Sequence, residues 1–141
     1  MNKYAYKETT TPVSEHFAFI SSFGDKHIRQ ASIEYYKTCS GQTEVMYECR
    51  TTNGLLIGIC FAAIFGQTTR YTITVVHKDY RQQGIGTALL ILRTQNLQSV
   101  GIHTEARTVD TNIASMKMCR KVFPLLKSDP NDTTIQWFGD K

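Results

Sequence analysis

Residues 55–66 read "LLIGICFAAIFG", almost wholly apolar. A strand with one wet face alternates polar and apolar residues. An unbroken run predicts a central strand covered on both faces. Asn53-Gly54 stands just before it, the strongest short-range hairpin signal. Upstream, "TEVMYECRT" alternates Val45, Tyr47 and Cys49 with polar neighbours and predicts the partner strand. Beyond a "QTT" turn, "RYTITVV" is rich in β-branched residues and predicts a third antiparallel strand.

Helical and extended segments surround this meander. "KYAYKET" predicts a short first strand. Pro12 suits a helix start, with Val13, Phe17 and Ile20 on one face. Gly24-Asp25 breaks and recaps the chain before a second helix, "DKHIRQASIEYYKT". After the meander, Ile85, Ala88, Leu89 and Leu92 recur at helical spacing. "GIHTEARTV" predicts a strand, "NIASMKMCRKV" a helix and "TTIQWFG" a closing strand. The expected order is β-α-α-β-β-β-α-β-α-β(-β). It defines an α/β (α+β) fold with a mixed, mostly antiparallel twisted sheet, and residues 1–141 are expected to form one domain.

Composition narrows the function. The net charge of +4 is mild, and Lys and Arg are scattered singly, which is no nucleic-acid signature. The cysteines Cys39, Cys49, Cys60 and Cys119 form no C-x-x-C pair, and no His stands at ligand spacing, so no metal is expected. Cys60, within the apolar run, reads as a small core residue. No apolar stretch reaches the roughly 18 residues of a membrane span, and no signal core opens the chain. A reduced, cytoplasmic protein is expected, and a homodimer by base rate.

The third meander strand runs into "YRQQGIGTALL", a pair of glycines at a helix start. A dinucleotide fingerprint needs a third glycine where Leu89 stands, and a Walker loop needs G-K-[ST]; both fail. Glycines at a strand-to-helix turn leave backbone N–H groups uncovered. With the positive end of the helix dipole they suit phosphate oxygens. Side chains at Gly84 or Gly86 are expected to block a close pyrophosphate, and Arg81 adds a fork of donors.

With Arg81, Gly84 and Gly86 at [R/Q]-x-x-G-x-[G/A], after a strand ending in Val76, "VVHKDYRQQGIGTALL" resembles the acyl-CoA-binding signature of the GNAT superfamily of N-acyltransferases. "DTNIASMKMCRKV" resembles that family's next helix, N-x-x-[A/S]-x-x-x-Y, with Asn112 and Ser115 in place. The resemblance implies a GNAT-like sheet flanked by about four helices. The family's tyrosine is Cys119 here, and the Gly-Phe that usually ends the helix reads Phe123-Pro124. Residues 76–86 also resemble the cofactor turn of arylalkylamine N-acetyltransferases, but Arg70 and Thr72 stand where those enzymes carry paired histidines.

The resemblance implies acetyl-CoA as co-substrate and an amine as acceptor. Arg81, Gln82, Gln83, Gly84, Ile85, Gly86 and Thr87 would hold the pyrophosphate through their N–H groups. Thr74, Val75 and Val76 would pair with the pantetheine as a strand partner does. An amide near Thr74 would polarise the thioester carbonyl. Asn112 and Ser115 would flank the cofactor. Cys119 stands as proton donor, as acyl carrier or as an inert filler. No carboxylate occupies "QTTRYT", where the family often places its base; Glu105, Glu48 and Glu34 are the substitutes, and His77 beside the phosphates is expected to be exposed or to touch CoA. The competing reading is an acyl-CoA-binding regulatory module that does not catalyse.

Overall fold

Asn53-Gly54 closes the hairpin as its dipeptide predicts. Thr51 N–H donates to Leu55 O at 2.9 Å, and Gly54 takes φ 91°. The hairpin joins β2 (Thr43–Thr51) to β3 (Leu56–Phe65). These belong to a computed structural model that describes residues 4–9, 14–22, 43–109, 113–123, 125–128 and 135–139. β1 (Tyr4–Glu8) flanks β2, and β4 (Thr68–Val76) flanks β3, in an antiparallel sheet of order β1-β2-β3-β4. The apolar run is buried along β3 on both faces, as its composition predicts.

Three helices are described: α1 (Ser14–Ser21), α2 (Ile85–Gln98) and α3 (Ile113–Val122). On one face of the sheet, Ile20 of α1 packs with Met46, Leu56, Ile59, Phe61, Ile73 and Val75. On the other, Ile85, Leu89 and Leu90 of α2 join Met116 and Cys119 of α3 over Tyr47, Cys49, Ile57 and Cys60. Leu89 and Leu90 are fully buried, each contributing about 2 kcal/mol. Gly58 permits this closeness: a Cβ there would meet Leu89 Cδ1 at 3.0 Å and Ile85 Cγ2 at 3.1 Å.

A second antiparallel sheet follows, of order β5-β7-β6, from β5 (Glu105–Val109), β6 (Leu125–Ser128) and β7 (Ile135–Gly139). Phe138 of β7 is buried with α2 and α3, so this sheet shares their core. β4 and β5 start as parallel neighbours, bridged at Thr68 and His103, yet belong to different sheets. β4 also carries a bulge. Between Ile73 and Arg70 it spends one residue more than β3 spends between Phe61 and Ala63. A bulge bends its strand and increases the twist.

Among the described residues the expected element order holds, with three refinements. The closing strand is two strands, because "LLKS" at Leu125–Ser128 pairs with β7. A 3-10 turn at Lys78–Tyr80 separates β4 from the glycine turn. The buried stripe of α2 runs Ile85, Leu89, Arg93, Leu97 with Leu90 and Thr94, whereas Ala88 and Leu92 are only half-buried. The second helix, with Glu34, and Asn112 and Pro124 lie outside the described residues.

α1 is tied to the sheet by a buried carboxylate. Glu48 Oε1 accepts from Thr9 Oγ1 at 2.9 Å and lies 3.3 Å from His16 Nε2; Glu48 Oε2 accepts from Arg50 Nε. Arg50 Nη2 also donates to Glu15 Oε1 at 2.6 Å, which reaches α1 a second time. Burial pushes the Glu48 pKa up, but the hydrogen bonds from Arg50, Thr9 and His16 together outweigh it and hold the carboxyl below its ordinary value. The stability this gives is complete above the unfolded value of 4.5 and is lost as pH falls through the lower folded value. Glu48→Gln is expected to cost about 3 kcal/mol at pH 7, because it leaves Arg50 half-paired. Urea titrations of both proteins between pH 7 and pH 3 check this: the gap between them narrows as the pH falls.

Candidate active site

At the end of β4 the chain must turn into α2 without a side chain to cap the helix. His77 N–H still donates to Ile57 O at 2.8 Å, and His77 Nδ1 accepts from Asp79 N–H at 3.1 Å to start the 3-10 turn. Arg81 Nε donates back to Val76 O at 3.1 Å. Gln82 then takes φ 63° and Gly84 φ 80°, two left-handed residues at alternate positions. A non-glycine residue there is strained, and such strain gathers where a backbone must serve a ligand. Left-handed turns aim successive N–H groups into an anion-binding concavity.

Gly84 is the N-cap of α2 and supplies no side-chain hydrogen bond, and the first N–H groups of a helix have no partner within it. A Cβ on Gly84 would meet nothing within 4 Å, so the space before the turn is open. The two glycines therefore differ. Gly84 is required by its φ. Gly86 faces protein: a Cβ there would meet Met118 Sδ at 3.1 Å and Val76 Cγ2 at 3.5 Å, so a side chain crowds the packing. Lacking a side chain, Gly86 lets β4, α2 and α3 converge. Tyr4, from β1, braces the turn. Its hydroxyl donates to Gln83 Oε1, and its ring meets Tyr80 edge-on at 6.3 Å.

The same convergence places Thr74 near α3. Thr74 Oγ1 lies 3.4 Å from Cys60 Sγ, and Cys60 and Cys119 share one buried cluster. Cys119 is 1% exposed. Burial pushes its thiol up to about 11; the Arg93 charge and a hydrogen bond with Ser115, one turn earlier, pull the other way. At neutral pH this group is a thiol that holds its proton.

Glu105 stands where β4 and β5 part. It is half-buried, and both its backbone groups are held by side chains: its N–H donates to Thr69 Oγ1 at 2.9 Å, and its carbonyl accepts from Arg93 Nη2 at 2.8 Å. Sequence reasoning missed Thr69 and Arg93. The signal was present, since Arg93 lies four residues from both Leu89 and Leu97, a charge in the middle of an apolar stripe. Glu48, one of the substitute bases, is buried with its oxygens occupied by Thr9, His16 and Arg50. His77 is half-exposed and caps the 3-10 turn. Among the described residues no group of His, Cys, Asp or Glu is arranged to hold a metal, and no helix is long and apolar enough to cross a membrane.

Fold and turn together match a known class. Residues 14–123 match the acetyltransferase (GNAT) family, and the chain belongs to it. No curated protein matches the chain in sequence. Among solved structures, a GNAT-family acetyltransferase of Staphylococcus aureus is similar at 14% identity, over 97% of this chain and 100% of that one, with TM-score 0.69. The PaiA N-acetyltransferase of Thermoplasma acidophilum, solved in complex with coenzyme A, is 13% identical over 97% and 99%, with TM-score 0.68. A GNAT-family acetyltransferase of Elizabethkingia anophelis, solved with acetyl-CoA bound, is 15% identical over 99% and 98%, with TM-score 0.63. At such identities the likeness is one of fold.

The Cys119 thiol supplies a pH test. The folded chain keeps its proton to about pH 11, whereas the unfolded chain releases it near 9. Stability from this group is therefore intact below pH 9 and falls as pH rises toward 11, by about 3 kcal/mol in all. Urea denaturation from pH 8 to pH 11 is expected to show a shallower decline for Cys119→Ala than for the parent. Absorbance at 240 nm assigns the thiolate.

Proposed function

We propose that this protein is an acetyl-CoA-dependent N-acetyltransferase, which transfers acetyl directly to a primary amine of a small molecule or protein. The observation that carries the reading is the uncapped α2 N-terminus behind left-handed Gln82 and Gly84, at the mouth of the gap between β4 and β5. The CoA and acetyl-CoA bound in the solved relatives support it. Acetyl-CoA supplies the activated acetyl group; the chain binds it, orients it and moves protons.

N–H groups from Arg81 to Thr87 hold the pyrophosphate, with the Arg81 guanidinium at the rim. The edges of Thr74, Val75 and Val76 pair with the pantetheine, and the Thr74 amide polarises the thioester carbonyl. Asn112 and Ser115 complete the cofactor's surroundings. Glu105, at the vertex of the gap, takes the proton from the attacking amine. Cys119 holds the proton that the departing thiolate needs, which suits a thiol kept protonated by burial and disfavours its use as an acyl carrier. That same burial gives a second reading, an acyl-CoA-binding module without turnover.

Gly84→Val is expected to raise the Kd for CoA at least 100-fold in calorimetry, with only about 1 kcal/mol lost in stability, because its Cβ meets no protein atom and only φ is strained. Unchanged affinity defeats the cradle. Thiol release from acetyl-CoA across a panel of amines separates the two readings, since binding without release on any amine leaves the module. With an active amine, Cys119→Ala is expected to lower kcat roughly 100-fold at an unchanged KM for acetyl-CoA.

A further inference from the structure

The start of β4 and the segment that leads into β5 share one parallel bridge, Thr68 to His103. His103 N–H donates to Gln67 O at 2.7 Å, and Thr69 N–H donates to His103 O at 3.0 Å. Evenly spaced bonds of a parallel pair repeat every two residues. The next would run from Glu105 N–H to the Thr69 carbonyl, and from the N–H of residue 71 to the Glu105 carbonyl. Side chains take both Glu105 groups instead. Thr69 Oγ1 accepts from the N–H at 2.9 Å and lies 3.5 Å from the carbonyl oxygen; Arg93 Nη2 donates to that oxygen at 2.8 Å. The backbone ladder gives way at this residue, and the strands continue into separate sheets.

Arg93 is an expensive way to satisfy one carbonyl. It is fully buried, and among the described residues its Nε and Nη1 have no hydrogen-bond partner. A guanidinium withdrawn from water with idle donors destabilises the fold, and an apolar side chain of similar size would not. Thr69 is also fully buried, so neither residue is placed by solvent. Their shared target is the backbone of one residue, Glu105, at the point of separation.

We propose that Thr69 and Arg93 are positioning residues that intercept the ladder at Glu105 and hold β4 and β5 apart, so that the arm of an acyl-CoA enters between them. This rests on the acyl-CoA reading above for its ligand and on the hydrogen bonds alone for the fork. Without the two side chains, Glu105 returns to β4, the ladder extends, and the N–H groups of residues 107 and 109 pair across the closed gap.

The test uses the whole chain and the variants Thr69→Val, Thr69→Ser and Arg93→Met. CoA affinity is read by calorimetry, amide exchange at residues 107 and 109 by NMR, and stability by thermal unfolding. Thr69→Val is expected to weaken CoA at least 10-fold and to slow exchange at both amides, whereas Thr69→Ser, which restores the hydroxyl, retains the parent values. Arg93→Met is expected to weaken CoA at least 10-fold while its Tm stays level or rises, a combination that a merely structural role does not produce. If Thr69→Val does not fold, Arg93→Met carries both measurements. Parent-like affinity and exchange in the folded variants overturns the proposal, as does loss of affinity that only tracks loss of Tm. A parent protein without affinity for CoA overturns the acyl-CoA reading and the ligand assigned here, while the exchange rates still decide whether the side chains hold the fork.

Discussion

The backbone of one residue, Glu105, stands where β4 and the chain that leads into β5 cease to pair. Its N–H faces the Thr69 hydroxyl and its carbonyl faces the Arg93 guanidinium. Thr69 comes from β4 and Arg93 from α2, so the arrangement requires both elements to be packed against the start of β5. Much of the remaining architecture follows. β5 is released to build a second sheet with β7 and β6, and Phe138 of that sheet returns to close the core over α2 and α3. β4 keeps β3 on one side only, with its own bulge between Arg70 and Ile73.

Close helix packing depends on glycines used for two different reasons. Gly58 and Gly86 give up a side chain so that α2 lies tight against β3 and the end of β4. Gly84 gives up a side chain so that the chain can take a left-handed φ just before the helix. Gln82 takes a similar φ without that freedom, and local strain of this kind lasts only where the surrounding structure over-determines it. Here Tyr4 on Gln83 and Arg81 on the Val76 carbonyl hold the turn from both sides. The result is a rim of backbone donors beside an open space.

The chemistry of the interior is set by burial more than by residue type. Glu48 and Cys119 are both buried acids, yet they behave oppositely. Three donors surround Glu48 and keep it ionised. Cys119 has the Arg93 charge and the Ser115 hydroxyl, too little to offset desolvation, and keeps its proton. Sequence reading placed both among candidate proton carriers. Only their surroundings separate a carboxylate committed to anchoring α1 from a thiol able to hold a proton near the β4 end.

Local patterns were legible because they act within a few residues. The apolar run of β3, the Asn53-Gly54 hairpin, the β-branched β4 and the glycine turn before α2 each express a backbone preference or a burial requirement that the neighbouring residues state directly. The family signature at Arg81, Gly84 and Gly86 is local in the same sense, and with the element order it carried the fold. The roles of Thr69, Arg93 and Gly86 were not legible. Thr69 reads as an ordinary strand residue, Arg93 as an ordinary helix charge, and Gly86 as half of a phosphate motif. Their partners stand 36, 12 and 32 positions away in the chain, at Glu105 for the first two and Met118 for the last. By itself the sequence determined the described elements, their order and the glycine turn before α2. Tertiary structure alone decided where the ladder breaks, which carboxylate is spent on packing and which thiol is buried, because those depend on contacts and desolvation that exist only once the layers have met.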